Sequence, residues 1–376
     1  MTKTMDVVFV LMLLVLVYTF FLYPLIVWIW SRFSIEISRD SKFLPSITVL
    51  IPVYNEQLVI QEKLDNCLSL EYPKERIMFV FASDGSKDQT VEILRQCSDS
   101  RVQIFDYSEN RGKAVVLNEA VQQLRSDLVI LSDASGILDS QAILVLASYF
   151  NDENVGAVCG MYHIFKEGRT RVDAAESSYH GFEMLLRMWE GRIWSTLSGT
   201  GSLCAIRRSD YQALPEQVIN DDYILPAKIA LSGKRVVYSP DAHVYDRIST
   251  SLAAVYRRRV RIAFGNWQQI GHLKLLLNAF HRPYLSWVYY SHKLLRLALP
   301  FVLILLFISS FSQAQWIYAT FSLAAVTLIL LGWLGLMLDP YMRGKNPLGF
   351  ILLIFFNNVA VIVGTFKFLA RRQIQW

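Results

Sequence analysis

The sequence predicts an α/β fold, a mostly parallel Rossmann-like sheet set between N- and C-terminal transmembrane helices. Two observations predict it. Short apolar runs alternate with helical stretches between residues 45 and 250, and long uncharged runs lie toward both ends. Of 376 residues, 53% are hydrophobic and 13% aromatic, too apolar for a wholly water-soluble protein.

Val7 to Trp30 carries no charge. At about 1.5 Å per residue it exceeds a roughly 30 Å hydrocarbon core. It is too long for a signal-peptide core and no small-residue cleavage site follows, so residues 1–31 are expected to be an anchor. Arg32, Arg39 and Lys42 beyond it outweigh Lys3 before it. The positive-inside bias therefore places residues 45 to 280 in the cytoplasm, on a protein integral to the cytoplasmic membrane.

Ile47 to Ile51 reads as a strand stopped by Pro52. Ile60, Leu64, Cys67 and Leu68 share one helical face that ends at Tyr72-Pro73. Ile77 to Ala82 is the second strand, followed by a helix with Val91, Leu94 and Cys97 in line. Val102 to Tyr107 is the third, Lys113 to Leu124 a helix, and Leu128 to Leu131 the fourth strand. Such alternation means a parallel, doubly wound sheet, and right-handed crossovers put all its strand ends on one side. Asn55, Asp84, Asn110 and Asp133 each follow a strand, so they gather at one crevice on the rim where open α/β sheets bind ligands.

Beyond, Val155 to Tyr162 and Ser202 to Ile206 read as strands, with a helix through Ala174 to Glu190 between them. Asn220-Asp221-Asp222-Tyr223 opens a further helix, and Val236 to Tyr238 is a last short strand. Together these make a domain over residues 45–248. Residues 249–293 follow as basic, amphipathic, interfacial helices. Leu252, Val255, Val260, Ala263, Trp267 and Ile270 recur there against Arg257, Arg258, Arg259 and Arg261, and Tyr284 to Arg296 makes a second such helix. Residues 294–376 hold the C-terminal spans: two in Leu297 to Leu338, broken at Ser309 to Gln313, and one in Asn346 to Phe366. With three spans Arg343 and Lys345 fall inside, but Arg371 and Arg372 fall outside against the charge rule, unless one segment is interfacial. The polar pair Asn357-Asn358 is expected to face the protein interior.

Cys67, Cys97, Cys159 and Cys204 lack metal-ligand spacing and read as buried thiols in a reducing compartment. The net charge of +5 matters because of the arginine cluster. Beside membrane segments it favours an anionic lipid or a diphosphate partner, not nucleic acid.

Each strand end offers some chemistry. Asp133, after the fourth strand, suits a hard cation such as Mg²⁺ or Mn²⁺ bridging to a diphosphate; taken alone it reads more readily as a turn-forming or capping aspartate. Pro52-Val53-Tyr54-Asn55-Glu56 offers a ring and polar groups to a flat ligand, or a turn with Asn55 as helix cap. Asp84, before Gly85, can accept the imino N–H of a uracil ring, or simply close a turn. Asn110-Arg111-Gly112-Lys113 opens a helix, and its lysine with the first helical N–H groups makes an anion site or a solvated basic turn.

In that order and on successive strand ends, these four elements resemble the signature of the inverting family 2 glycosyltransferases of the cellulose and hyaluronan synthase-like superfamily. The P-x-Y-N-E element is Pro52 to Glu56, D-G-S is Asp84 to Ser86, N-x-G-K is Asn110 to Lys113, and the D-x-D-type metal element is Asp133 to Ser135. The resemblance covers about residues 46 to 270. It implies a GT-A nucleotide-sugar domain, a UDP-sugar donor, a divalent cation (Mg²⁺ or Mn²⁺), and a lipid-linked or saccharide acceptor at the membrane.

Carried over residue by residue, Pro52, Val53, Tyr54, Glu56, Asp84, Arg111 and Lys113 hold the nucleotide. Asp133 and Ser135 form the metal element, one carboxylate short of the usual pattern, with His243 as a further candidate ligand. Gly199-Thr200-Gly201 borders the acceptor. Asp222 is the catalytic base and Asp221 its support, since inversion needs a carboxylate to take the acceptor proton. Adjacent aspartates repel, which raises one of them; a helix cap is the alternative. Where processive members carry Q-x-x-R-W, Arg258, Arg261 and Ile262 stand for Gln, Arg and Trp, so Arg258 and Arg261 face the diphosphate while the tryptophan platform is missing. The alternative is a processive synthase that also exports its polymer, for which four spans are few unless a homo-oligomer completes the path. A transporter would place its charges within the spans, and no GxGxxG marks a dehydrogenase.

Overall fold

The computed structural model describes residues 2–34, 37–164, 171–246, 252–311, 316–342 and 347–370. Arg343, Lys345, Arg371 and Arg372, on which the topology argument turns, lie outside the described residues.

Eight strands form one sheet among the described residues: β1 (Ile47–Val53), β2 (Ile77–Asp84), β3 (Val102–Tyr107), β4 (Leu128–Leu131), β5 (Gly136–Leu138), β6 (Val155–Ile164), β7 (Cys204–Arg207) and β8 (Arg235–Asp246). Their order is β3-β2-β1-β4-β7-β6-β8-β5. The expected parallel half is present: β1 pairs in parallel with both β2 and β4, with Ile47 opposite Ile77 and Leu128. Val49, Leu50 and Ile51 are fully buried, as continuous apolar runs require when both faces of a parallel sheet are covered. Leu117 and Ile224, from the helices Lys113–Gln123 and Asp221–Leu231, pack in the core on one face. Leu64 and Ile143, from Ile60–Leu68 and Ala142–Ala147, pack in the core on the other.

The chain winds outward from β1 to β3, then returns to place β4 on the other side of β1. The gap between β1 and β4 is therefore a topological switch point, where a crevice opens beyond the strand ends. Past β4 the sheet is mixed, since β7 runs antiparallel to both β4 and β6. The last strand is longer than expected. Pro240 breaks the ladder only locally, through a register shift that takes β6 from Cys159–Tyr238 pairing to Met161–His243 pairing, and β8 runs on to Asp246. A proline is tolerated in a strand at such a bulge.

Among the described residues four helices are long and apolar enough to cross a membrane: Thr4–Arg32, Pro283–Ser310, Tyr318–Leu338 and Ile351–Leu369. Tyr284 to Arg296, expected as a separate interfacial helix, instead continues without a break into the second of these. Within that helix Tyr289–Leu294 is π-helical, and so is Tyr18–Leu22 in the first helix. The two irregular turns meet, with Tyr18 Oη 2.7 Å from Ser291 Oγ. The basic helix Leu252–His272 forms as expected and packs along the last span, where Trp267 Nε1 donates to Thr365 Oγ1 at 2.9 Å. Cys67, Cys159 and Cys204 are buried, Cys97 is half-buried, and all four are thiols.

Candidate active site

A cavity of about 1170 Å³ opens at the strand ends and reaches toward the membrane helices. Its upper wall is made by the predicted loops. Pro52, Val53, Tyr54, Glu56, Asp84, Lys113, Asp133 and Ser135 all line it, as do Gly199, Thr200, Gly201, Asp221, Asp222, Arg258 and Arg261. Arg111 and His243 do not.

The loops are cross-tied before any ligand is considered. Asn55 is left-handed (φ 54°), a conformation asparagine tolerates, and its Oδ1 accepts from Lys87 N at 2.8 Å. It clasps the neighbouring turn; it does not cap a helix. Asp84 accepts from the backbone N–H of Arg111 (2.7 Å) and Gly112 (2.8 Å), tying the ends of β2 and β3 together. Gly85 has φ +70°, and a Cβ there would lie 2.7 Å from the Glu109 carbonyl carbon, so no other residue fits this turn without movement. The Arg111 side chain turns outward, bidentate to Glu119 at 2.8 Å and over the Tyr107 ring.

Lys113, at the first turn of its helix, bridges two of the predicted carboxylates. Its Nζ is 2.8 Å from Asp133 Oδ1 and 3.1 Å from Asp221 Oδ2. Enclosure alone would lower Lys113, but Asp133 and then Asp221 outweigh it and raise its pKa. Asp133, also hydrogen-bonded by Ser202 Oγ at 2.8 Å, is opposed by desolvation yet held below the usual carboxylate range by Lys113. A Cβ on Gly201 would lie 3.4 Å from Asp133 Oδ2 and 3.8 Å from Lys113 Nζ, so the predicted acceptor loop touches the same centre. Below it Lys63, fully buried, donates to Ser132 Oγ at 2.7 Å and to the Gly136 carbonyl, and so fixes the loop that carries Asp133.

Asp221 and Asp222 open the helix Asp221–Leu231, and neither is its cap, which is Asn220. Asn220 Nδ2 donates to Asn266 Oδ1 (2.9 Å) and to the Ile262 carbonyl (3.2 Å), which ties the paired aspartates to the arginine helix. The Asp222 side chain is open to the cavity yet ringed by protein. That enclosure, followed by repulsion from Asp221, raises its pKa above the ordinary carboxylate value, against the pull of Lys293 and Arg187. A raised carboxylate poised toward neutral pH is what a general base requires.

The residues present suit a divalent cation that shares its coordination with a substrate. Asp246, at the end of β8, lines the cavity; its Oδ2 accepts from Tyr162 Oη at 3.0 Å and its Oδ1 is buried with no hydrogen-bond partner. Burial, then Asp133, Asp88 and Asp246, push Glu56 up, a crowding of negative charge that a cation would relieve. No three His, Cys, Asp or Glu side chains converge closely enough to hold an ion by themselves among the described residues. Such a half-site matches Mg²⁺-type ions, which take one or two carboxylates and complete their shell with phosphate and water. His243 is elsewhere, its Nδ1 2.9 Å from His163 Nε2.

The sequence argument missed Asp246, Lys63, Arg187 and Lys293. For Asp246 a signal exists, an aspartate ending an alternating run, but the run is cut by Pro240. For the other three no local signal exists, because their partners are distant in sequence.

Residues 45–265 match the family model described as glycosyltransferase like family 2. Among curated proteins, a poly-β-1,6-N-acetyl-D-glucosamine synthase of Staphylococcus aureus (strain COL) is 30% identical over 259 residues, covering 66% of this chain and 60% of that protein. A probable glycosyltransferase, YdaM of Bacillus subtilis (strain 168), is 26% identical over 262 residues, covering 64% of this chain and 60% of that protein. The match thus spans 60% of the length of either relative. Among solved structures, the mannosyltransferase PcManGT from Pyrobaculum calidifontis in complex with GDP-Man and Mn²⁺ superposes with a TM-score of 0.75 at 23% identity, over 97% of this chain and 100% of that one. That likeness bears out the GT-A fold.

Proposed function

The chain belongs to the glycosyltransferase-like family 2, and from that premise we propose that it transfers a sugar, with inversion, from a UDP-sugar to a lipid-linked or nascent saccharide acceptor at the cytoplasmic face of a membrane. The observation that carries this reading is the convergence of Lys113, Asp133, Asp221 and Asp222 on one cavity beyond the β1–β4 switch point.

Tyr54 and the buried Asp84 face the base, whose imino N–H needs a carboxylate acceptor. Lys113, Arg258 and Arg261 balance the diphosphate charge. Asp133, with Ser135 two residues on and Asp246 lining the same cavity, would hold the Mg²⁺ or Mn²⁺ that offsets the remaining charge on the leaving group. An acceptor hydroxyl attacks C1 from the face opposite UDP while its proton passes to the Asp222 carboxylate. The C1–O bond to the diphosphate breaks and UDP leaves with the bonding pair, which inverts the centre. Asp221, paired with Lys113 at 3.1 Å, repels negative charge on Asp222 and so keeps it basic.

The test is UDP release by the full-length protein in membranes, over a panel of UDP-sugars with Mg²⁺ or Mn²⁺, repeated with Asp222→Asn. Release by the parent and its loss in the variant is the expected result; no release with any sugar would sink the catalytic reading. A polymerising version is favoured by the likeness to the staphylococcal synthase, while Ile262 in place of a tryptophan platform argues for single addition. A product ladder on a gel, against one added sugar, separates the two.

A further inference from the structure

Lys63, in the helix Ile60–Leu68, is fully buried. Lysine is almost never enclosed completely unless a carboxylate pairs with it. Among the described residues the ammonium has two hydrogen-bond partners, both neutral: Ser132 Oγ at 2.7 Å and the Gly136 carbonyl. The rest of its helix face, Ile60, Leu64 and Cys67, is packed in the apolar core. Burying a charge with no opposite charge in contact lowers stability, and an apolar side chain of the same length would avoid that loss. Nor does Asp133 need a second lysine for charge balance, since Lys113 already pairs with it at 2.8 Å. A lysine kept at this position is explained by what it holds.

Ser132 and Gly136 flank Asp133 to Ser135, so the ammonium grips the proposed metal element at both ends. Ser132 carries the grip further. An ammonium is donor-only, so the Ser132 oxygen must accept from it, which leaves the single hydroxyl proton to be given elsewhere. It goes to the Ser202 carbonyl at 2.9 Å. Ser202 closes the circuit, because its own hydroxyl donates to Asp133 Oδ2 at 2.8 Å. Ser202 directly follows Gly199-Thr200-Gly201, the loop assigned to the acceptor. All three side chains of this relay are buried, away from water that could replace any of its bonds.

We propose that Lys63 is a positioning residue for the transfer step: through Ser132 and Ser202 it locks the metal element to the acceptor loop, so that the group holding the leaving diphosphate and the loop presenting the attacking hydroxyl keep a fixed separation. This rests on the glycosyltransferase reading. The test compares full-length Lys63→Met, Ser132→Ala and the double variant with the parent. UDP release is followed in membranes with the UDP-sugar that the parent uses best, and thermal unfolding in detergent at one scan rate.

Lys63→Met should lower kcat about tenfold or more with the KM for the UDP-sugar unchanged, since a small misplacement of reacting groups slows the chemical step. Its unfolding midpoint should equal or exceed that of the parent, because the uncompensated charge is gone. Ser132→Ala should lower kcat about fivefold, the worth of one hydrogen bond. The double variant should be no slower than Lys63→Met alone, because both substitutions cut the same relay.

Parental kcat in Lys63→Met overturns the proposal, and so does a loss confined to the KM for the UDP-sugar. A Lys63→Met protein that fails to fold, or melts well below the parent, makes Lys63 a structural residue and overturns it too. Losses that multiply in the double variant mean that Lys63 and Ser132 act apart, with the same consequence. No UDP release by the parent is a different failure, seen before any substitution is made: it overturns the glycosyltransferase reading and this proposal with it.

Discussion

The Gly199 N–H donates to the Asp222 carbonyl at 2.6 Å. In a regular helix that carbonyl would accept from the residue four places on, but that residue is Pro226, which has no N–H. The missing helical bond leaves an acceptor at the base's own backbone, and the predicted acceptor loop fills it. Gly199 packs onto the same proline, since a Cβ there would lie 3.1 Å from Pro226 Cγ. Pro226→Ala lets the helix reclaim the carbonyl and loosens the loop. The acceptor KM should rise about fivefold, the worth of one hydrogen bond near 1 kcal/mol, with the donor KM unchanged. Initial-rate kinetics over both substrates check this, and an unaltered acceptor KM would contradict it.

Asp222→Asn keeps the shape of the base and removes its proton affinity. Turnover should fall by about 10² to 10⁴, the usual contribution of a positioned base. UDP affinity, measured by calorimetry, should stay close to that of the parent, because in the proposed mechanism Asp222 serves the acceptor and not the donor. A large loss of UDP binding would instead give Asp222 a donor-holding role.

The pH profile follows from the same group. As the proposed base Asp222 would act as the carboxylate, and its enclosure followed by Asp221 raises its pKa. The acid limb of kcat should therefore lie above the ordinary carboxylate range, with activity lost as the pH falls through the raised value. Asp221→Asn removes the repulsion, while Lys113 keeps Asp133 as its partner at 2.8 Å. The limb should move toward lower pH in that variant; movement the other way would mean that Asp221 does not act on Asp222 by charge.

The parallel half of the fold and the strand-end loops were legible because their signals are local. A buried parallel strand must be apolar along its whole length, as Ile47 to Ile51 is, and a polar residue that ends such a run has to sit at the rim. What Asp84 and Asn55 do there was less legible, since each satisfies a backbone group on a neighbouring loop. The end of β8 was hidden by Pro240, which punctuates the pattern without ending the strand. His292 and Lys293 suggested an interfacial helix because ionisable groups ordinarily seek water. Their helix continues into one long and apolar enough to cross a membrane, with Glu183 and Glu190 supplying partners for His292 from a helix about a hundred residues earlier, a pairing that no local pattern reveals.

The departure at Ser135 gives the last prediction. Asp133 is held ionised by Lys113, and Ser135 lines the same cavity two residues on. A second carboxylate there would add charge to a half-site that must otherwise rely on substrate phosphate for its remaining ligands. Ser135→Asp should lower the Mn²⁺ or Mg²⁺ concentration for half-maximal UDP release by about tenfold, since ligand charge sets the affinity of such sites. Asp246→Asn should raise it, if the buried Oδ1 without a partner faces the ion. Chelation with EDTA should abolish turnover in the parent and be reversed by added metal. An EDTA-resistant enzyme whose activity ignores both substitutions would remove the cation from the mechanism and leave Lys113, Arg258 and Arg261 to carry the leaving group alone.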